Sequence, residues 1–334
     1  MLKTTGSTEK NSEYQRIDPG EKKRMAGYKK YRNGRLTATD KITLFYIIFT
    51  AFLLIAGLGR LDNPASHFMM RVMMIAFIGV VLFLEQEYEG GWTRALHAFY
   101  PLLFLGYFFP ETDYLNDLFF DTLDPAIIRL ELALFGAMPS VSFSACCPWP
   151  WFSELMHAGY FSFYPVILFF AVYYFVKRPG LFQQRVFVFF FAFYLFYLIF
   201  DFFPSSGPQY FLPPPANEVP PGYYITGLMN RILAVGDRPT GAFPSSHIGM
   251  TWLIMYFFFH DSRRLFFFWL LPALVLTFAT VYIKAHYAVD VLGGFLMVPV
   301  FVWGGQRVWL LLRRVETVTG EESVPETPVV PPVI

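Results

Sequence analysis

Long apolar segments follow one another from residue 42 to residue 312, and they constrain the fold more than any other feature. A helix needs ~20 mostly apolar residues to cross the hydrocarbon core of a bilayer. Eight segments approach or exceed that length, the sixth being the shortest; they are 42–59, 68–84, 95–109, 152–176, 186–203, 248–259, 265–283 and 289–312. Because backbone within lipid must satisfy its own hydrogen bonds, the sequence predicts an all-α polytopic transmembrane helix bundle of about eight spans.

The residue composition agrees with this prediction. Hydrophobic residues make up 55% of the chain, aromatic residues 20% and charged residues only 15%, whereas soluble domains carry roughly 25% charged residues. A soluble enzyme, a secreted disulfide scaffold and a disordered protein therefore all fit poorly. The net charge of +1 gives no electrostatic case for a nucleic-acid partner.

Basic residues predict the orientation, because cytoplasmic loops carry the excess of Lys and Arg. With the N-terminus inside, several groups of basic residues at the span ends become cytoplasmic: Lys177, Arg178 and Arg185; Arg263 and Arg264; and Arg307, Arg313 and Arg314. The long loops left outside, 110–151 and 204–244, are poor in basic residues. We therefore expect an integral protein of a plasma membrane or bacterial inner membrane, with both termini cytoplasmic.

The sequence predicts four parts. Residues 1–41 form a basic, mostly disordered cytoplasmic tail, and residues 42–112 form the N-terminal transmembrane helices. Residues 113–312 form a membrane domain with the motifs below, and residues 313–334 form a second disordered cytoplasmic tail. Residues 113–135 mix acidic with apolar side chains, which predicts amphipathic helices at the outer interface. Asp117, Asp121 and Asp124 share one helical face there. We interpret that face as solvated rather than as a metal site.

The segment 241–247 gathers polar groups at the start of the sixth span, where they are costly unless functional. Pro244 suits a helix start, and the amides of the first helical turn lack partners within the helix. Together with the hydroxyls of Ser245 and Ser246, these amides predict a phosphate-binding cradle, beside which His247 can carry a proton. Simple N-capping by Ser245 with a structural histidine is an equally good interpretation of this segment taken alone.

The segment 284–290 opens the eighth span on the same predicted face of the membrane. His286 and Asp290 are four residues apart and share one face of a helix. A carboxylate that binds one ring nitrogen leaves the other nitrogen available as a nucleophile or base. Lys284 adds positive charge for a phosphoryl group. Such a pair alone is more often structural, but two segments of this kind on one face favour catalysis.

These two segments resemble the second and third signature motifs of the type 2 phosphatidic acid phosphatase superfamily. The sequence Pro-Ser-Ser-His at 244–247 is similar to the family's Pro-Ser-Gly-His, with Ser246 in place of glycine. His286 and Asp290 match the His and Asp of the family's Ser-Arg, five residues, His, three residues, Asp. Ala279 and Thr280 stand where that motif has Ser and Arg, so Lys284 is the candidate to replace the missing arginine.

Other parts of 113–312 extend the resemblance. Arg231 and Arg238 have the spacing of the family's first motif, Lys, six residues, Arg-Pro, with arginine in place of lysine; coincidence is equally plausible. The segment 203–209 and the two motifs resemble the branch that contains inositol phosphorylceramide synthases, although Gln209 stands where that branch often has arginine. The His-Tyr and Asp-Val pairs of 286–291 are also similar to sphingomyelin synthases.

The resemblance implies two-step phosphoryl transfer without a metal or other cofactor. His286 would attack the phosphorus of a lipid phosphate and form a phosphohistidine, with Asp290 orienting the ring. His247 would protonate the leaving oxygen and then deprotonate the acceptor. The anionic oxygens would be bound by five residues of the motifs: Ser245, Ser246, Lys284, Arg238 and Arg231.

Water as the acceptor makes the protein a lipid phosphate phosphatase, which is the function we expect, acting at the extracytoplasmic face. An alcohol as the acceptor makes it a transferase of a phosphorylated headgroup. A transporter whose histidines and carboxylates relay protons is an alternative of another class. His97 and His157 lie in or beside apolar spans, and we expect them to be hydrogen-bonded packing residues.

Overall fold

The computed structural model describes residues 36–88 and 90–318. A 3₁₀ turn, Asn116–Leu118, follows α3, and the helices are α1 (Ala38–Ala56), α2 (Pro64–Glu87), α3 (Gly91–Leu115), α4 (Asp124–Phe135), α5 (Pro139–Cys146), α6 (Pro150–Phe161), α7 (Phe163–Lys177), α8 (Pro179–Phe202), α9 (Pro208–Phe211), α10 (Tyr224–Gly236), α11 (Ser246–Asp261), α12 (Arg263–Tyr282) and α13 (Ala288–Val318). The described residues contain no strand. The predicted all-α polytopic bundle is confirmed.

Six helical segments of the described residues are long and apolar enough to cross a membrane, or seven if the bent pair α4–α5 is one span. The six are α1, α2, α6 with α7, α8, α12 and most of α13. The prediction of about eight included α3 and α11 as well. Both are helices, but α11 has only 16 residues, and α3 mixes proline and polar residues with its apolar ones.

The first and last described helices extend beyond the predicted spans. Thr37 and Asp40 form a capping box, so α1 begins at Ala38, within the predicted tail 1–41. At the other end, α13 continues to Val318, past the predicted limit at residue 312. The remainder of the two predicted tails, 1–35 and 319–334, lies outside the described residues.

Residues 113–135, predicted to be interfacial helices, contain the end of α3 and most of α4. A 63° bend separates α4 from α5, and Gly136 ends α4 in the left-handed conformation. Asp124 is 0% exposed at the start of α4, so its interpretation as part of a solvated face was wrong. Asp121 is exposed, while the side chain of Asp117 lies outside the described part.

Aromatic side chains of α8 form the centre of the bundle. Phe187, Phe190, Phe196 and Phe200 are almost completely buried, and α8 packs against α1, α3, α7, α11 and α13. The helix α11 lies against both α12 and α13. These contacts bring the start of α11 beside the segment that precedes α13, at what we call the site end of the bundle.

The two histidines expected to be packing residues are hydrogen-bonded inside the bundle. His97 lies 2.8 Å from Asp40 Oδ2 through Nε2, and its other ring nitrogen contacts Glu85. His157 donates from Nδ1 to the backbone oxygen of Ser153 at 2.7 Å. At the end of the bundle opposite the site, Asp261 at the end of α11 accepts two hydrogen bonds from Arg185 on α8.

Candidate active site

A narrow cleft, with about 20 Å³ open to the centre of a water molecule, lies at the site end, and both motif histidines line it. Its walls come from five parts of the chain: α3, α6, and the segments 206–210, 237–247 and 285–286. His247 Nδ1 and His286 Nε2 are 3.2 Å apart. Two residues 39 positions apart in the sequence are therefore in direct contact.

His286 lies in the short segment between α12 and α13, and backbone groups fix its position. Its amide donates to the carbonyl of Thr280 at 3.0 Å, and its Nδ1 donates to the carbonyl of Ala242 at 2.7 Å. The side chain is buried, and this desolvation lowers the pKa of His286 to about 4, against the opposing effects of the Ala242 carbonyl and the Asp237 carboxylate. The imidazole is therefore neutral at physiological pH.

Asp290 is buried beside His286 without a hydrogen bond to it. Its Oδ2 is 3.6 Å from His286 Nδ1 and accepts the amide of Tyr287 at 2.7 Å. The other carboxylate oxygen has no hydrogen-bond partner in the described part of the chain. Asp290 thus caps the start of α13, and the ring of His286 takes its orientation from the Ala242 carbonyl.

His247 lies in the first turn of α11, between two aromatic rings. The ring centroids of Tyr160 and Phe163 are 4.6 and 4.4 Å from that of His247. Ser245 is the N-cap of α11: its hydroxyl accepts from the amide of Ile248, and its own amide donates to the Asp290 carbonyl at 3.0 Å. The Ser245 hydroxyl is thus used within the helix, whereas Ser246 lines the cleft.

Lys284 does not face the cleft. Its ammonium group donates to the carbonyl of Ser140 and to the hydroxyl of Ser144, both at 2.9 Å, on α5. A positive φ of 66° at Lys284 directs the side chain away from His286. Burial lowers the pKa of Lys284. The structure therefore gives this lysine a contact with α5 in place of the expected contact with a phosphate.

The two arginines with the spacing of the family's first motif lie in different places. Arg238 lines the cleft and donates to the carbonyl of Asp237 at 3.0 Å, whereas Arg231 lies on α10 with an exposed side chain and does not line the cleft. Glu154 on α6 accepts from the amides of Tyr223, Ile225 and Thr226. This contact holds the start of α10 on α6, and residues 237 and 238 follow directly after α10.

The cleft also contains polar residues that the motifs did not predict. Asp237 accepts a hydrogen bond from the side-chain amide of Gln209, and Tyr210 lies beside them in the wall of the cleft. Burial raises the pKa of Asp237, opposed by the Gln209 amide. Burial, and to a lesser extent the nearby carboxylate of Asp237, raise the pKa of Tyr210 to about 12. Asp237 directly precedes Arg238, and this position is the sequence signal by which it could have been found.

Across residues 36–88 and 90–318, no three His, Cys, Asp or Glu side chains form a group that could hold a metal ion. The groups that line the cleft are two imidazoles, one guanidinium, one carboxylate, and neutral hydroxyl and amide groups. This set can bind an anion and move protons.

A family model for the PAP2 superfamily matches residues 125–303, which is more than half of the 334-residue chain. The matched part includes all eight predicted site residues: Arg231, Arg238, Ser245, Ser246, His247, Lys284, His286 and Asp290. The helices α1, α2 and α3 lie outside it. Neither the curated proteins nor the solved structures contain a match to this chain.

Proposed function

Because the chain belongs to the PAP2 superfamily, we propose that it is a membrane enzyme that hydrolyses a lipid phosphate through a phosphohistidine on His286. Membership of the family supports phosphatase or phosphotransferase chemistry. The observation that carries the proposal is the contact between His247 Nδ1 and His286 Nε2 in the wall of a polar cleft. A nucleophile and an acid–base group in direct contact are what a two-step displacement requires.

The hydrogen bonds assign the tautomers of both histidines. A carbonyl oxygen only accepts, so Nδ1 of His286 carries the proton that it donates to Ala242. In the neutral ring, Nε2 then has a free lone pair. His247 must donate to that lone pair from its own Nδ1. The nucleophilic atom of His286 is thus Nε2, and a bound phosphate replaces His247 as its partner.

In the first step, Nε2 of His286 attacks the phosphorus, and a P–N bond forms as the P–O bond to the lipid breaks. An anionic phosphate beside His247 favours the protonated imidazolium, so His247 takes up a second proton from solvent when the substrate binds and regains it from water in the second step. This imidazolium gives its proton to the departing lipid oxygen, which leaves as an alcohol. His247 ends the step neutral.

In the second step, a water molecule gives a proton to neutral His247 and attacks the phosphorus. The P–N bond breaks, inorganic phosphate leaves, and His286 returns to its neutral form. The developing charge on the phosphoryl oxygens would be stabilised by Arg238, by Ser246 and by the amides of the first turn of α11. Such electrostatic stabilisation is usually the largest contribution to catalysis of phosphoryl transfer.

The labelling of the phosphorylated residue tests this proposal. Purified protein is mixed with ³²P-labelled lipid phosphates and quenched in alkali, in which phosphohistidine is stable. We expect a label on the wild type that is lost on acid treatment and is absent from His286→Ala. His260→Ala, which changes an exposed histidine at the far end of α11, is the matched control. An unlabelled wild type that still hydrolyses substrate, or full activity in His286→Ala, contradicts the proposal.

We further propose that the cleft opens at the extracytoplasmic face. Support comes from the basic residues Lys177, Arg178, Arg263 and Arg264, which lie at helix ends opposite the site end. A cysteine introduced within 213–221 should then react with an impermeant maleimide on intact cells. Because Cys146 is exposed and Cys147 partly so, the experiment needs a background with both cysteines replaced by serine. Reaction only after lysis contradicts this orientation.

Transfer of a phosphorylated headgroup to an alcohol, as in inositol phosphorylceramide or sphingomyelin synthases, is the second candidate function. The polar group of Asp237, Gln209 and Tyr210 in the cleft favours it, because these side chains can bind hydroxyl groups of an acceptor. Product analysis separates the two functions. Free phosphate identifies a phosphatase, whereas a new phospholipid that forms only when an alcohol acceptor is added identifies a transferase.

A further inference from the structure

Asp124 is a buried carboxylate beside the site, and none of the proposed chemical steps uses it. It is 0% exposed and lies at the first residue of α4. Its Oδ2 accepts the amide of Ser206 at 2.8 Å, and its Oδ1 accepts the amide of Gly207 at 3.0 Å and the hydroxyl of Tyr287 at 2.9 Å. The hydroxyl of Thr122 donates to it as well. All four partners are donors, so the site requires an acceptor.

The segment held by Asp124 leads directly to the orienting contact of the nucleophile. Ser205, next to the amide of Ser206, accepts the amide of Ala242 on its carbonyl at 3.1 Å. Its hydroxyl accepts the amide of Phe243 at 2.7 Å. The carbonyl of Ala242 is the acceptor for His286 Nδ1. The path from Asp124 to the ring of His286 thus runs through three hydrogen bonds joined by the backbone of Ser205 and Ala242.

Two further contacts place this network against the backbone of the nucleophile itself. Gly207 has a φ of +81°, and a Cβ atom there would lie 2.9 Å from the carbonyl oxygen of Ala285, the residue before His286. Tyr287, the residue after His286, donates its hydroxyl to Asp124. Asp124 therefore binds the residue after His286 directly, and Gly207, which it also binds, lies against the residue before His286.

We propose that Asp124 is a positioning residue that keeps His286 in the Nδ1–H tautomer with Nε2 directed into the cleft. The inference rests on the proposed function only in taking His286 as the nucleophile. A carboxylate accepts all four donors, whereas an amide in the same place turns an NH₂ group toward some of them. Without Asp124, the segment 204–207 loses its anchor, and Ala242 is no longer held against His286.

Asp124→Asn tests the proposal, with Asp121→Asn as the matched control, because Asp121 is exposed in the same segment. The first measurement needs no substrate: ¹⁵N-histidine NMR in detergent, with the signal of His286 assigned from His286→Gln. We expect an Nδ1–H ring in the wild type and in Asp121→Asn. Asp124→Asn should shift the population toward the Nε2–H tautomer, which water favours for a free imidazole.

The second measurement is phosphate release from dioctanoyl phosphatidic acid in mixed micelles. Misplacement of a reacting group by ~1 Å costs about 100-fold, so we expect kcat to fall by about that factor in Asp124→Asn with little change in KM. A merely structural role would lower the amount of folded enzyme and leave the tautomer and the kcat of the folded fraction unchanged. That outcome, or unchanged values in a folded variant, overturns the proposal.

Tyr287→Phe decides the question if Asp124→Asn does not fold. It removes one donor and leaves the carboxylate with its two amide partners. We expect the tautomer to shift in the same direction, but less, and kcat to fall by roughly tenfold in place of about 100-fold. A wild-type tautomer and kcat overturn the proposal. His286→Ala is assayed alongside. If it stays active, the proposed function fails. If it is inactive while Asp124→Asn and Tyr287→Phe behave as the wild type, only this inference fails.

Discussion

Asp290 Oδ2 lies 3.6 Å from His286 Nδ1, and the hydrogen bond of that nitrogen goes to the carbonyl of Ala242 at 2.7 Å. A backbone carbonyl fixes the tautomer as a carboxylate does, but it brings no full negative charge to the ring. The carboxylate of Asp290 is used to bind the amide of Tyr287. The ring of His286 is thus oriented by a neutral group, and Asp290 holds the backbone that follows it.

Asp290→Asn should therefore be a mild substitution. The asparagine oxygen can still accept the Tyr287 amide, and the Ala242 carbonyl still orients His286, so both contacts are kept. We expect kcat to fall by well under the ~100-fold that misplacement of a reacting group costs, against a loss of nearly all activity in His286→Ala. Steady-state kinetics with dioctanoyl phosphatidic acid measure both. Equal losses in the two variants would mean that the carboxylate binds His286 directly during the reaction.

The activity should persist to low pH, because the nucleophile must be neutral and burial lowers the pKa of His286 to about 4. The acidic limb of kcat/KM reports the free enzyme, so we expect it near pH 4 rather than near the ~6.5 of an ordinary histidine. The charged or titratable groups around the ring are His247, Asp237 and Asp290. A limb near pH 6.5 in the folded protein contradicts the prediction.

The same burial predicts how stability depends on pH. The unfolded chain protonates His286 below about pH 6.5, while the folded protein does so only near pH 4. Its contribution to stability is therefore complete above the unfolded pKa and is lost as the pH falls toward the folded one, by up to about 1.4 kcal/mol per pH unit. Thermal unfolding in detergent should show a smaller loss of Tm over this range in His286→Gln. Parallel curves for both proteins contradict the prediction.

The sequence predicted the elements of the site better than its contacts. Apolar segments of membrane length can only be helices in lipid, so the helices that carry His247 and Asp290 were predicted close to their observed positions. The pairing of His247 with His286 followed from two motifs at the start of two spans on one predicted face. Local pattern sufficed because each motif marks the beginning of a helix.

Contacts that depend on packing could not be predicted in this way. Asp124 has the same spacing and charge as a residue on a solvated face, and its burial arises because the segment 203–207 folds over it. The Ala242 carbonyl has no side-chain signal at all. Lys284 has the right charge beside the motif histidine, but its positive φ, which few residues other than glycine adopt, directs it to α5.

Removal of the charge should lower the Tm at Lys284 and raise the KM at Arg238. Lys284→Met leaves the Ser140 carbonyl and the Ser144 hydroxyl without their buried partner, which destabilises by about 2 kcal/mol, so we expect a lower Tm and little change in KM. Arg238→Met removes the guanidinium that lines the cleft. We expect KM to rise by about tenfold or more with an unchanged Tm. A raised KM in Lys284→Met at unchanged Tm would return this lysine to the phosphate site.

Gly294→Ala should separate the two histidines by forcing α13 away from α11. A Cβ at Gly294 would lie 2.6 Å from the carbonyl oxygen of Ser245 and 2.8 Å from Ile248 Cβ, and neither group can move without shifting α11. Small residues permit this close approach of helices in a membrane. Gly304→Ala on the same helix is the control, because its Cβ meets Phe191 at an ordinary 3.5 Å.

We expect Gly294→Ala to lower kcat by about 100-fold, as for a displacement of ~1 Å between reacting groups, and to lower Tm, while Gly304→Ala changes neither. The ¹⁵N-histidine spectrum measures the contact between His247 and His286 without a further substitution in either motif. The signal from the hydrogen bond between His247 and His286 should be lost in Gly294→Ala alone. Wild-type kinetics in that variant would show that contact of α11 with α13 at Ser245 does not set the distance between the histidines.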